Sequence, residues 1–98
     1  MFINIIKSYR NIVAICDAEL IGKKFEEEKF QLDVKESFFK GELTQEKKAL
    51  EIIKDMRLED ATFNIVGKRS VSLAIKSGII KEEDIGKISG IPYALRLL

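Results

Sequence analysis

Five consecutive apolar residues, Ile12-Val-Ala-Ile-Cys16, place the tightest constraint on how this 98-residue chain folds. Successive side chains of a strand point to opposite faces. A run with no polar position therefore needs cover on both faces, which puts it in the interior of a sheet. Phe2-Ile-Asn-Ile-Ile6 is a second apolar, β-branched-rich run, and Lys7 to Asn11 is a suitable hairpin connection, so the two strands are expected to pair antiparallel. Asp17 is placed to cap a short turn from Ala18 to Ile21, with Gly22 ending it. Phe30-Gln-Leu-Asp-Val34 alternates with period two and predicts a strand with one wet face.

Beyond a connection from Glu36 to Leu43 the period changes. Ala49, Ile52, Ile53 and Met56 follow the i, i+3, i+4, i+7 spacing of one helical face, predicting a helix over Gln45 to Leu58 with Thr44 as its N-cap. Its outer face mixes acids and lysines, as a solvated surface does. Asn64 to Gly67 fits a strand or a helix equally well. From Lys68 to Ser77 a helix is predicted, with Val71, Ala74 and Ile75 on its apolar side and Gly78 as its stop. Lys81 to Asp84 is a charged turn, and Tyr93 to Leu98 is a last strand that begins at Pro92 or lies at an edge. This order predicts one α+β domain over residues 1–98, a mainly antiparallel sheet with two principal helices packed on one side.

Hydrophobic residues at 46% against charged residues at 34% describe an ordinary globular chain with a single core. The absence of histidine removes the commonest general base, the usual catalytic zinc ligand and the Ser-His and Cys-His nucleophile pairs. One cysteine excludes an internal disulfide and any multi-cysteine zinc site, so no metal or cofactor is expected. The N-terminal apolar runs are too short for a signal-peptide core or a membrane span, and the expected location is the cytoplasm, away from membranes. The net charge of +1 conceals an asymmetry: residues 61–98 hold six basic residues and three acids, whereas residues 1–60 hold 11 and 13. An anionic partner is expected to meet the C-terminal third.

Within that third, Gly67-Lys68-Arg69-Ser70 has the outline of a phosphate loop. The Walker pattern requires two glycines, a lysine and a hydroxyl, but Thr62 stands at the first glycine position and Arg69 at the hydroxyl position. Leu20 to Lys24 fails similarly, with Asp17 and Lys24 at the required positions. What survives is a weaker anion site: free N–H groups after Gly67, facing outward beside Lys68 and Arg69. Lys68, Arg69, Ser72 and Lys76 share one quadrant of the helix, a stripe without acids that suits a nucleic-acid backbone. The alternative is a solvated surface whose charges pair with acids such as Glu82, Glu83 or Asp84. Tyr9 and Tyr93 are candidate stacking residues, while Phe25, Phe30, Phe38, Phe39 and Phe63 are assigned to the core. Cys16 sits beside Asp17 and Glu19, whose charges weaken a thiolate, and is read as a core residue. Asp17 and Glu19 themselves are candidates for an acid/base or magnesium pair, or for caps.

Three segments, Ala14 to Phe25, Asn64 to Ile80 and Ile88-Ser-Gly-Ile-Pro92, resemble in order and spacing the archaeal domain-of-unknown-function 424 family, and the resemblance covers nearly the whole chain. It implies a small stand-alone cytoplasmic protein with a loose link to translation, and no assigned activity. Family members often carry a histidine just after the proline of the Gly-x-Pro segment, where this chain has Tyr93, so a histidine-dependent role there is not implied. The leading expectation is a non-catalytic module that binds RNA or a ribonucleoprotein through Gly67, Lys68, Arg69, Ser72 and Lys76. The alternative is a protein-interaction or assembly subunit using Phe38, Phe39 or the Leu95 to Leu98 tail, with an enzyme third.

Overall fold

A computed structural model describes residues 1–97. Its frame is a six-stranded sheet in the order β5-β1-β2-β6-β8-β7, formed by β1 (Phe2–Ile6), β2 (Ile12–Cys16), β5 (Glu42–Leu43), β6 (Thr62–Val66), β7 (Gly86–Ile88) and β8 (Ile91–Arg96). β3 (Lys24–Glu27) and β4 (Phe30–Asp33) form a separate hairpin. The helices are the single turn α1 (Glu36–Phe39), α2 (Glu46–Leu58) and α3 (Lys68–Ser77), with 3₁₀ turns at Ala18–Leu20 and Glu82–Asp84.

β1 and β2 pair antiparallel, as the hairpin spacing predicts, with Phe2 opposite Cys16 and Ile6 opposite Ile12. β2 is central, and Val13, Ala14, Ile15 and Cys16 are fully buried. Both faces are covered because two layers pack on the sheet. On one face Ile3, Val13, Ile15, Phe63, Ile65 and Ala94 meet Ala49 and Ile53 of α2 and Val71, Leu73 and Ala74 of α3. On the other, Ala14, Cys16 and Val66 meet Leu20, Val34 and Phe39, with Phe25, Leu32 and Phe38 packed around them. The sheet is mainly antiparallel and both principal helices lie on one side, the α+β arrangement expected.

The departures are local and have physical reasons. Asn64 to Val66 resolves as strand because β6 fills the slot between β2 and β8, where Phe63, Ile65 and Val66 are buried. The strand expected at Phe30 has a partner, β3, whose charged residues hide its pairing from a hydrophobic pattern. The Glu36 to Leu43 connection holds α1 and β5, and β7 is a further short strand beside β8. Thr44 does not cap α2: the helix begins one residue later behind Gln45, and Thr44 Oγ1 donates instead to the Glu42 carbonyl at 2.9 Å. Pro92 lies near the start of β8 and pairs with Lys87 of β7, short of the Tyr93–Arg96 segment that meets β6, so no ladder bond to β6 is missing. Leu98, at the end of the predicted last strand, lies outside the described residues. Phe30, assigned to the core, is 64% exposed because it opens β4 at the tip of the hairpin.

Phe63 is the largest fully buried side chain and stands at the centre of the helix-covered face. Phe63→Ala is expected to lower the unfolding free energy by about 3 to 5 kcal/mol in urea titrations. Leu58→Ala, at an 85% exposed position, is expected to change it by less than about 0.5 kcal/mol.

Candidate functional site

β2 and β6 are parallel neighbours, with Cys16 opposite Val66, so the chain leaves both strands at the same end of the sheet. The Asp17 N–H still donates to the Val66 carbonyl at 3.1 Å, which sets Asp17 beside Gly67 at the point where α3 starts. That helix has no acceptor of its own there: its N-cap is glycine, and its first turn contains no acid. Asp17 supplies one from 53 residues away. Its Oδ2 accepts from the Arg69 N–H at 3.1 Å, and its Oδ1 accepts from the Ser70 N–H and the Ser70 hydroxyl, both at 2.8 Å. Asp17 is 4% exposed and Ser70 fully buried. A carboxylate at a helix N-terminus satisfies orphan donors and meets the positive end of the dipole.

Gly67 is obligatory in this arrangement for two reasons. Its φ of 108° is a conformation side chains avoid, and a Cβ there would run into the Asp17 carboxyl group. Two expectations change. Asp17 does not cap the Ala18–Leu20 turn, which has no side-chain cap. The N–H groups of Arg69 and Ser70 face this internal carboxylate instead of an outside anion. Glu19 is exposed on the 3₁₀ turn while Asp17 is committed to its three bonds, so the two carboxylates do not act as a pair.

The cationic side chains are another matter. Lys68, Arg69, Ser72 and Lys76 are all exposed and together line one wall of an open cleft of about 880 Å³. Leu73, Ala18, Met1, Leu43, Thr44 and Glu46 also line it. Met1 reaches this position because its carbonyl accepts from the Thr44 N–H at 2.8 Å, extending the β1–β5 pairing by one residue. Among the described residues Lys68 and Arg69 make no ion pair, and Lys76 Nζ lies 3.8 Å from Glu46 Oε1. Glu82, Glu83 and Asp84 do not reach the stripe. Asp84 instead accepts from the Lys81 N–H at 2.8 Å.

Other candidates fall away from this cleft. Arg96 donates to the Ile79 carbonyl at 2.7 Å and is held as a structural group. Tyr9 is fully exposed in the β1–β2 connection, at the other end of β2 from the Asp17–Gly67 junction. Tyr93 packs on the sheet face opposite α3, over Gly86. Phe39 is buried, and Phe38, partly buried, packs edge-on against it at 5.1 Å. Cys16 is buried, and that burial, with Asp17 beside it, pushes its thiol up to about 11. Among the described residues no group of three or more acids, cysteines or histidines is placed to hold a metal ion, and no helix is long and apolar enough to cross a membrane.

The helical projection identifies the α3 wall of the cleft but not its other side. Glu46, Leu43 and Met1 arrive through the β1–β5 pairing and the start of α2, contacts with no local periodicity. The Asp17–Ser70 link does leave a trace in the sequence. A glycine N-cap with no acid in the following turn leaves a helix in need of a foreign acceptor, and Asp17 directly follows the most buried strand.

A family model described as protein of unknown function (DUF424) matches residues 6–97. No curated protein matches the chain. Among solved structures, an uncharacterized conserved protein from Methanopyrus kandleri superposes with a TM-score of 0.84, at 22% identity, over 96% of this chain and 87% of that one. At that identity the likeness shows a shared fold.

Asp17→Ala is expected to lower the unfolding free energy by about 3 kcal/mol or more, because it strands buried donors on Ser70 and Arg69. Asp17→Asn keeps an acceptor oxygen and should lose less, a ranking that urea titration of the two variants checks. The Cys16 thiol is protonated in both folded and unfolded chains below its ordinary value of 9.0, and between there and about 11 the unfolded chain ionises first. Its contribution to stability therefore falls as pH rises through that window. Comparing urea midpoints of the parent protein and Cys16→Ala at pH 8 and 10.5 should show a steeper loss in the parent.

Proposed function

The chain belongs to the family described as protein of unknown function (DUF424), and within that family we propose that it is a non-catalytic, translation-associated module of the cytoplasm that binds RNA or a ribonucleoprotein through the α3 cleft. One observation carries the reading: Lys68, Arg69, Ser72 and Lys76 converge on a single concave surface while Lys68 and Arg69 have no carboxylate partner among the described residues. Cations left unpaired beside a cleft attract phosphates, and phosphate contacts supply most sequence-independent affinity for nucleic acid. The Asp17 cap supports the reading indirectly. Asp17 holds the Arg69 and Ser70 N–H groups, and the Lys68 and Arg69 side chains make no ion pair among the described residues. Gly67 serves by placing the helix start, behind the cations and buried from the cleft.

Binding of a single-stranded RNA, followed by fluorescence anisotropy across a salt series, tests this. With three cations engaged, log K should fall against log[salt] with a slope of about −2. Reversing Lys68, Arg69 and Lys76 to glutamate should abolish binding without changing the unfolding free energy by more than about 1 kcal/mol, since all three side chains are exposed. Failure of the parent protein to bind at low salt would overturn the proposal.

A second reading has its own support. Leu95 is 52% and Leu97 66% exposed, on the half of the second sheet face that the hairpin and α1 leave open. Leu98, the end of that tail, lies outside the described residues. As an assembly subunit the protein would bury these leucines against a partner. Light scattering of the parent protein and of Leu95→Lys/Leu97→Lys separates the readings: a strict monomer in both removes self-assembly.

A further inference from the structure

The charges of the cleft are unevenly placed along α3, and the unevenness bears on which part of an RNA it receives. At one end Lys68 and Arg69 are adjacent, exposed and unpaired among the described residues. At the other end Lys76 lies 3.8 Å from Glu46, an exposed pair that opens readily because solvent screens it. The two centres are eight residues apart, a rise of about 12 Å along the helix, more than one phosphate group spans. Ala18 also lines the cleft, and its chain neighbours are Asp17, bonded to the Arg69 N–H, and the exposed Glu19, so negative charge already stands near the Lys68 end.

A uniform polyanion passing straight through would meet repulsion at Glu19 and a compensated cation at Lys76. A chain that terminates in the cleft avoids the first problem. A terminal phosphate carries between one and two negative charges at neutral pH, where a diester carries one, and so gains most where two adjacent cations have no ion-pair partner. We propose that the cleft receives the phosphorylated end of a single-stranded RNA. The terminal phosphate sits at Lys68 and Arg69, and a diester further along the chain reaches Lys76, displacing Glu46. This rests on the RNA reading above and adds to it a preference for a phosphorylated chain end over an interior segment. Glu46 then sets the affinity, because every bound chain must break its contact with Lys76.

The test uses the intact protein and one labelled oligoribonucleotide in three forms: 5′-phosphorylated, 3′-phosphorylated and with both ends hydroxyl, plus adenosine monophosphate as competitor. At low salt one phosphorylated form should bind about fivefold or more tightly than the hydroxyl form, from the extra charge near two cations. Lys68→Ala/Arg69→Ala should erase that preference. Glu46→Gln should tighten all three oligonucleotides by about threefold, leaving their ratio unchanged, because it removes a competing carboxylate. Equal affinity for all three forms would overturn end recognition while leaving the RNA reading standing. No binding of any form would overturn both. Binding of the mononucleotide as tight as that of the phosphorylated chain would overturn the contact at Lys76. Weaker binding by Glu46→Gln, with an unchanged urea midpoint, would overturn the displacement.

Discussion

The carboxylate of Asp17 on the first turn of α3 is the contact around which this molecule is arranged. It joins the end of the most buried strand to the start of the helix that lines the cleft, and it does so across 53 residues of sequence. A charged acceptor in so dry a place is stabilising only when its bonds are made. The Arg69 and Ser70 N–H groups and the Ser70 hydroxyl make them. Gly67 follows from the same contact, since any side chain there would occupy the carboxylate's position.

The contact depends in turn on the parallel pairing of β2 with β6, which stands among antiparallel neighbours. Parallel neighbours need a long crossover. Here it includes the hairpin, α1, β5 and α2, and it lays down one outer layer and half of the other before the chain returns at Thr62. After β2 the path leads to the β5 edge, and after β6 to the β7 edge. In open sheets with helical crossovers such a divergence at strand C-termini leaves a crevice where ligands often bind. Here Asp17 fills the deepest part of that crevice, and the opening that remains lies beside it, along the outer side of α3.

How far the sequence reveals this follows from the range of each interaction. β1, β2, α2 and α3 are legible because local periodicity and end signals such as Gly78 specify them, and Gly78 does adopt the left-handed conformation with φ 86°. β3, β5 and β7 are two to four residues long and lack an apolar alternation, so nothing local announces them. The ambiguity at Asn64 could not be lifted from within the segment. What decides it is an open edge on β2, a tertiary fact. The cleft divides the same way: the stripe on α3 follows from a 100° projection, whereas Glu46 reaches Lys76 only once α2 has packed against α3.

The internal cap also constrains what kind of binding the cleft can offer. Had the α3 terminus been open, backbone donors of fixed direction would have faced a ligand, and tight, directional phosphate binding would follow. Asp17 takes the Arg69 and Ser70 donors and places a compensating negative charge at the dipole's positive end. What α3 presents to the cleft is three flexible cationic side chains and one hydroxyl, each of which must be ordered by whatever binds. Ordering long side chains costs free energy, and their attraction is screened by salt. Any ligand of this surface is therefore held by charge matching more than by shape. Under those conditions Glu46, the carboxylate in the lining of the cleft, weighs more in selection than it would in a rigid pocket.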